Sequence, residues 1–341
     1  MSRGLTANIL LTVLALTLLA GAVACTHNSK PWHDPSPHQI QFVTVEDGVR
    51  LEVLNWGGSG RALVLLAGSG NTAHVFDDFA PKLAGPYHVY GITRRGFGSS
   101  SHPDSGYAEQ RLADDVPQIL NALQLVKPVL IGHSMAGGEL STLGAQHSDR
   151  LSGLVYVDAA RDPTRDYSKL SKKMEASGAK PPSPSDSDMK SFPAYREWQM
   201  RTMGFAFPES EVRNMFDSNP DGSMGDYRTD NSVFKAIGAG VQKRDYTKIR
   251  VPVLAFFAIP STPEENVSRR YQFKNAQERA AVEEVHAAVL ANIRTDERSI
   301  QRCAAGARVV ELRGSDHYIF LASEADMLRE LRAFLAGLPR P

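Results

Sequence analysis

Ser134 stands in Gly132-His133-Ser134-Met135-Ala136-Gly137, directly after the apolar run Val129-Leu130-Ile131 and before a helical pattern. A nucleophile perched on a sharp strand-to-helix turn needs small neighbours, because the strained backbone and close packing leave no room for side chains at the flanking positions. Gly132 and Ala136 meet that need. A serine hydroxyl is a poor nucleophile until a neighbour takes its proton. The pattern therefore asks for a base, an acid that orients the base, and two backbone N–H groups aimed at the oxygen that gains charge. The chemistry this would support is acyl transfer through a covalent intermediate. The alternative is a serine that only caps the following helix.

Two more segments stand in a matching order. Leu63-Val64-Leu65-Leu66 ends in Ala67-Gly68-Ser69-Gly70, and the strand-like Tyr87 to Ile92 leads into Thr93-Arg94-Arg95-Gly96-Phe97-Gly98-Ser99-Ser100. Together with the serine turn they resemble the α/β-hydrolase superfamily, in the branch of serine esterases with a helical lid inserted after the sixth strand. The resemblance covers about residues 40–341. Ala136 departs from the family's usual glycine, and Ala67 stands where relatives commonly carry histidine.

The resemblance implies roles for particular residues. His317, in Gly314-Ser315-Asp316-His317-Tyr318 after the last strand pattern, resembles the loop that carries the family's catalytic histidine, and becomes the expected base for Ser134. His27, His33 and His38 fall in a polar tether, His133 is a neighbour of the nucleophile, and His286 falls in a helix. The family's common acid position is the loop after the strand 251–259, but that loop reads Pro260-Ser261-Thr262-Pro263-Glu264-Glu265, without aspartate. Some relatives carry the acid at the end of the preceding strand, where this chain has Leu154-Val155-Tyr156-Val157-Asp158. Asp158 is the expected acid, with Glu264 as the alternative and Asp316 as a loop-ordering residue. The oxyanion donors map onto the backbone N–H groups of Ser69 and Met135. This chemistry needs no metal and no organic cofactor.

These residues must be held by a scaffold. Alternation at 40–45 and 49–54 around Glu46-Asp47-Gly48 predicts an antiparallel hairpin. Buried-strand runs at 63–66, 87–92, 128–131 and 154–157 alternate with helical patterns at 75–83, 109–123 and 136–147. That alternation predicts an α/β fold: a mostly parallel eight-stranded sheet with helices on both faces. It breaks over 162–248, where Phe192, Tyr195, Trp198, Met200, Met203 and Phe205 stand on helical pieces, so an inserted helical cap is expected between core halves at 40–161 and 249–341. The second half resumes with a strand at 251–259, a helix at 271–293, a strand at 308–312 and a closing helix at 325–335.

Composition narrows the partner. Thirty-eight basic residues balance 38 acidic ones. No field favours nucleic acid, and a small neutral or apolar molecule fits best as substrate. Arg3 followed by the apolar run Ile9 to Ala24 reads as a secretory signal over residues 1–24, with residues 25–39 as a tether. Two readings of its end stay open: a lipoprotein signal with Cys25 as the lipidated first mature residue, or plain cleavage after Ala24. The first implies a periplasmic, membrane-anchored protein and the second a periplasmic or secreted one. With Cys25 lipidated, Cys303 has no disulfide partner within the chain and reads as a packed thiol. Peptidase, lactonase, perhydrolase and noncatalytic ligand binding remain open on the same fold. A dehalogenase or epoxide hydrolase is disfavoured, because such relatives carry aspartate where Ser134 stands.

Overall fold

The computed structural model describes residues 32–303 and 305–339. The proposed signal, with Cys25, lies outside the described residues. Among the described residues, the compact body begins at Ser36.

Among the described residues, ten strands and ten α-helices follow in order: β1 (Gln39–Glu46), β2 (Val49–Gly57), β3 (Ala62–Leu66), β4 (His88–Ile92), α1 (Glu109–Ala122), β5 (Val129–His133), α2 (Gly137–Gln146) and β6 (Gly153–Val157). The cap then holds α3 (Ser168–Ser177), α4 (Asp186–Met189), α5 (Phe192–Met203), α6 (Glu209–Met215), β7 (Phe216–Ser218), β8 (Met224–Tyr227) and α7 (Asn231–Ala239). The chain closes with β9 (Val253–Ile259), α8 (Ala276–Ile300), β10 (Ala307–Arg313), α9 (Ile319–Ala322) and α10 (Glu324–Ala336). No described helix is long and apolar enough to cross a membrane.

Eight strands form one sheet in the order β1-β2-β4-β3-β5-β6-β9-β10. β1 and β2 pair antiparallel, β2 pairs antiparallel with β4, and every pairing from β4 through β10 is parallel. Because side chains alternate along a strand, the central strands feed two cores. Val64, Leu66, Leu130 and Tyr156 meet α1, α2 and α8 on one face, while Leu63, Leu65, Ile131 and Phe256 meet α10 and the base of the cap on the other. Strands buried on both faces have no polar side to display, which is why they read as unbroken apolar runs.

Three details differ from the sequence expectation, and the first is that the helix expected over 271–293 runs from Ala276 to Ile300. The helix expected over 75–83 is two short 3-10 turns, Ala73–Phe76 and Ala80–Lys82, with Pro81 at the start of the second. Proline favours a first turn and interrupts a longer helix. The cap is not wholly helical, because β7 and β8 form a small antiparallel ribbon.

The sheet order has a consequence for the site. β3 leads to β4 on one side, and the chain then returns to place β5 on the other side of β3. In parallel sheets, ligand sites gather at the carboxyl ends of strands at such a reversal. The loops after β3 and β5, carrying Ser69 and Ser134, flank this point.

Candidate active site

β5 ends at His133 and runs straight into a 3-10 turn, Ser134–Ala136, before α2. Ser134 has φ +56°, a left-handed conformation uncommon for a side-chain-bearing residue. Gly132 shows why the flanks are small, since a Cβ there would lie 2.9 Å from both Ala136 Cβ and Leu140 Cδ1.

Three residues far apart in sequence form one hydrogen-bonded chain. His317 Nε2 lies 2.9 Å from Ser134 Oγ, and His317 Nδ1 lies 2.6 Å from Asp158 Oδ2. With a neutral imidazole, Nδ1–H donates to the carboxylate and Nε2 accepts from the hydroxyl, an assignment made from the partners. Asp158 sits one residue beyond β6 with φ +45°. Its Oδ1 accepts from Arg161 Nη2 at 2.8 Å, Arg161 Nε at 3.1 Å and the Ala258 N–H at 3.3 Å. Burial alone would raise the Asp158 carboxyl, yet the Arg161 charge and the His317 hydrogen bond together hold it well below the usual carboxylate range. The carboxylate is therefore ionised where it meets the imidazole.

Glu264 is elsewhere, in a turn beside α8 with Arg279 Nη1 3.5 Å from its carboxylate. Asp316 accepts from the Tyr318 N–H at 3.2 Å, within its own loop. His133 is more than a neighbour: its buried Nε2 donates to the His317 carbonyl at 3.1 Å, and the two rings lie 4.5 Å apart. Burial drives the His133 ring strongly toward its neutral form.

The oxyanion side is built from the loop after β3. Among the described residues the Ser69 N–H donates to no backbone carbonyl. Met135 is the second residue of its turn, where an N–H has no partner within the helix. Gly68 lets the loop approach, since a Cβ there would meet His133 Nδ1 at 2.7 Å and Ser134 Cβ at 3.1 Å. Arg94, from the glycine-rich turn, reaches beneath this loop. It donates to the Ala67 carbonyl at 2.7 Å while its guanidinium pairs with buried Glu139 at 2.6 Å.

From above, the cap touches the same loop. Tyr227 of β8 donates its hydroxyl to the Gly70 carbonyl, and fully buried Glu211 of α6 accepts from Asn71 and Thr72. Burial pushes the Glu211 carboxyl up to about 7 against those hydrogen bonds. Asn71 in turn accepts from the Tyr318 hydroxyl at 3.0 Å. Met135 and Phe234 pack on the cluster of Phe97, Val233 and Ile237, giving the nucleophile an apolar flank.

Arg161, Asn71, Glu211 and Tyr227 carry no motif in the sequence, and His133 stands in the serine turn without a role being legible there. A cavity of about 210 Å³ opens behind the base and is lined by Asp158, Arg161, Arg269, Glu265, Asp316 and His317 among others. Away from the site, Asp77 accepts from His38 at 2.7 Å, Trp56 at 3.0 Å, His74 at 3.1 Å and Ser210 at 2.6 Å. His38, expected in the tether, is thus packed against the body.

The family model for the alpha/beta hydrolase family matches residues 63–330. The chain belongs to the α/β-hydrolase family. Among α/β-hydrolases with solved structures, the hydrolase of E-2-(acetamidomethylene)succinate superposes with a TM-score of 0.64 at 18% identity, covering 88% of this chain and all of that one. Among curated relatives, N-formylmaleamate deformylase of Pseudomonas putida is 36% identical over 113 residues, 33% of this chain and 42% of the relative. Fluoroacetate dehalogenase of a Burkholderia species is 32% identical over 107 residues, 30% of this chain and 35% of the relative. The matched segments thus span less than half of either curated relative.

Proposed function

We propose that this chain is a serine hydrolase that cleaves an ester-like bond of a small neutral or apolar substrate through an acyl-enzyme. The observation that carries this reading is the unbroken hydrogen-bond chain from Asp158 through His317 to Ser134, at 2.6 and 2.9 Å.

In this mechanism Ser134 Oγ attacks the carbonyl carbon while His317 Nε2 takes its proton. Ionised Asp158 stabilises the resulting imidazolium. The Ser69 and Met135 N–H groups receive the developing oxyanion. His317 then gives its proton to the leaving group, takes one from water as the hydroxide attacks the acyl carbon, and returns it to Ser134 Oγ as the acid departs. Met135, the residue after the nucleophile, packs on the cluster that holds Phe97, and this favours an apolar acyl group. The deformylase among the relatives extends the reading to C–N acyl bonds, which the same steps would cleave. The dehalogenase likeness adds less, since a serine rather than a carboxylate occupies the nucleophile turn.

The test is intact mass after fluorophosphonate treatment of wild type and Ser134→Ala, followed by turnover of an ester and amide panel. One adduct on wild type and none on the variant supports the reading; an unlabelled wild type, or full turnover by Ser134→Ala, overturns it. We also propose export with lipidation at Cys25, supported by the pattern of residues 3–25 alone. An unmodified Cys25 in the mass of the mature N-terminus would refute the lipidation.

A further inference from the structure

The cap carries a carboxylate whose surroundings a covering role alone does not explain. Glu211 on α6 is 0% exposed. Its Oε1 accepts from Asn71 Nδ2 at 2.9 Å and from the Thr72 N–H at 3.0 Å. Its Oε2 accepts from the Thr72 N–H at 3.3 Å and from the Thr72 hydroxyl. The Asn71 amide and the Thr72 N–H donate to the carboxyl, and the Thr72 hydroxyl, which also accepts from the His74 N–H, serves the second oxygen in either protonation state. The preceding residue adds a second anchor, because Ser210 Oγ donates to Asp77 Oδ2 at 2.6 Å.

These contacts fall on the segment that carries Ser69. Arg94 holds its start through the Ala67 carbonyl, Tyr227 holds Gly70, and Glu211 holds Asn71 and Thr72. Asn71 also accepts from Tyr318, the residue after the base. One cap carboxylate thus bears on the oxyanion loop and, through Asn71, on the histidine loop.

We propose that Glu211 is a positioning residue for the oxyanion hole, fixing the Ser69 N–H through Asn71 and Thr72 so that the site is complete only with the cap docked. The proposal rests on the serine-hydrolase reading above. Displacing a group by about 1 Å at a reacting centre can cost ~100-fold in rate. An amide keeps the acceptor for Asn71 but sets an N–H against the Thr72 N–H, so Glu211→Gln should fall between wild type and Glu211→Ala.

The experiment measures kcat, KM and the inhibition constant of a trifluoromethyl ketone, whose hemiketal oxygen occupies the oxyanion hole, for wild type, Glu211→Gln and Glu211→Ala. Active sites are counted by fluorophosphonate labelling. The expected result is a kcat per labelled site lower by about 10-fold for Gln and about 100-fold for Ala, with KM within about threefold. The inhibition constant should rise in step with the loss of kcat/KM. A merely structural role would lower the labelled fraction but leave kcat per site and the inhibition constant at wild-type values, and that result overturns the proposal. If Glu211→Ala does not fold, Glu211→Gln with wild-type kcat and inhibition overturns it equally. An unlabelled wild-type Ser134 overturns the serine-hydrolase reading and this proposal together, whereas a labelled wild type with unaffected Glu211 variants overturns this proposal only.

Discussion

Arg161 closes its guanidinium on the same carboxylate that orients His317: its Nη2 and Nε lie 2.8 and 3.1 Å from Asp158 Oδ1, while Oδ2 faces the imidazole. The acid of the proposed triad therefore shares its negative charge between a fixed cation and a base that becomes cationic only during reaction. An opposite charge within hydrogen-bond reach lowers what the carboxylate can offer to a second partner.

Removing that cation should leave Asp158 fully available to stabilise the imidazolium. In Arg161→Gln the acid limb of kcat/KM, which reports the base of the free enzyme, is expected to move to higher pH by about half to one unit. Arg161→Lys, which keeps the charge, should move it less. A pH–rate profile checks this, and a limb unmoved in Arg161→Gln would show that the guanidinium does not act through Asp158.

The two candidate acids make opposite predictions. Asp158→Asn should lower kcat by about 10³ to 10⁴-fold, because the amide presents the wrong partner to Nδ1 and favours the wrong tautomer. Glu264→Gln should stay within about twofold, as expected where a half-buried ion pair away from the triad is all that is lost. Steady-state rates on one activated ester decide between them.

Gly68 can be tested sterically. A Cβ there would sit 2.7 Å from His133 Nδ1 and 3.1 Å from Ser134 Cβ. Gly68→Ala should cost about 1–3 kcal/mol of stability through overpacking, with a larger proportional loss in kcat than in Tm. Thermal unfolding beside kinetics separates the two effects.

Stability should also carry a Glu211 signature. Its carboxyl is raised from 4.5 to about 7 in the folded chain. A group bound more tightly to its proton when folded contributes stability fully below its unfolded value and loses it as pH rises through the folded one. Wild type should therefore lose up to ~3 kcal/mol between about pH 4.5 and 7 relative to Glu211→Gln. His74, Tyr227 and Tyr318 lie around the carboxylate and are common to both proteins. Denaturant unfolding across that range is the measurement.

The fold was legible because its central strands are buried on both faces. Leu63 to Leu66 and Val129 to Ile131 can be little else between glycine-rich turns. The turn at Ser134 was legible for a similar reason, since its geometry restricts the flanking residues and leaves Gly132 and Ala136 as a trace. Arg161 and Glu211 left no such trace. A guanidinium three residues past Asp158 is consistent with any polar loop, and Glu211 meets Asn71 and Thr72 across about 140 positions of chain. The helix expected over 75–83 was misread because its apolar residues, Val75, Phe76 and Phe79, are buried from two short turns as well as they would be from one helix.

The cap departs after β6 and rejoins at β9, and those strands are direct neighbours, with Val157 paired to Phe256. Arg244 at the returning end also donates to the Ala159 carbonyl at the departing end. To the sheet, the whole insertion is a loop; the two strands are parallel, so it leaves at the carboxyl end of β6 and re-enters at the amino end of β9, where Val253 pairs with Leu154. Doubling the length of such a loop costs only about 0.6 kcal/mol. The length of the cap is thus only weakly constrained by chain closure, so divergence between sister proteins can be concentrated in this one module, provided its contacts to the oxyanion loop are kept, while the strand ends bearing Ser134, Asp158 and His317 stay in place.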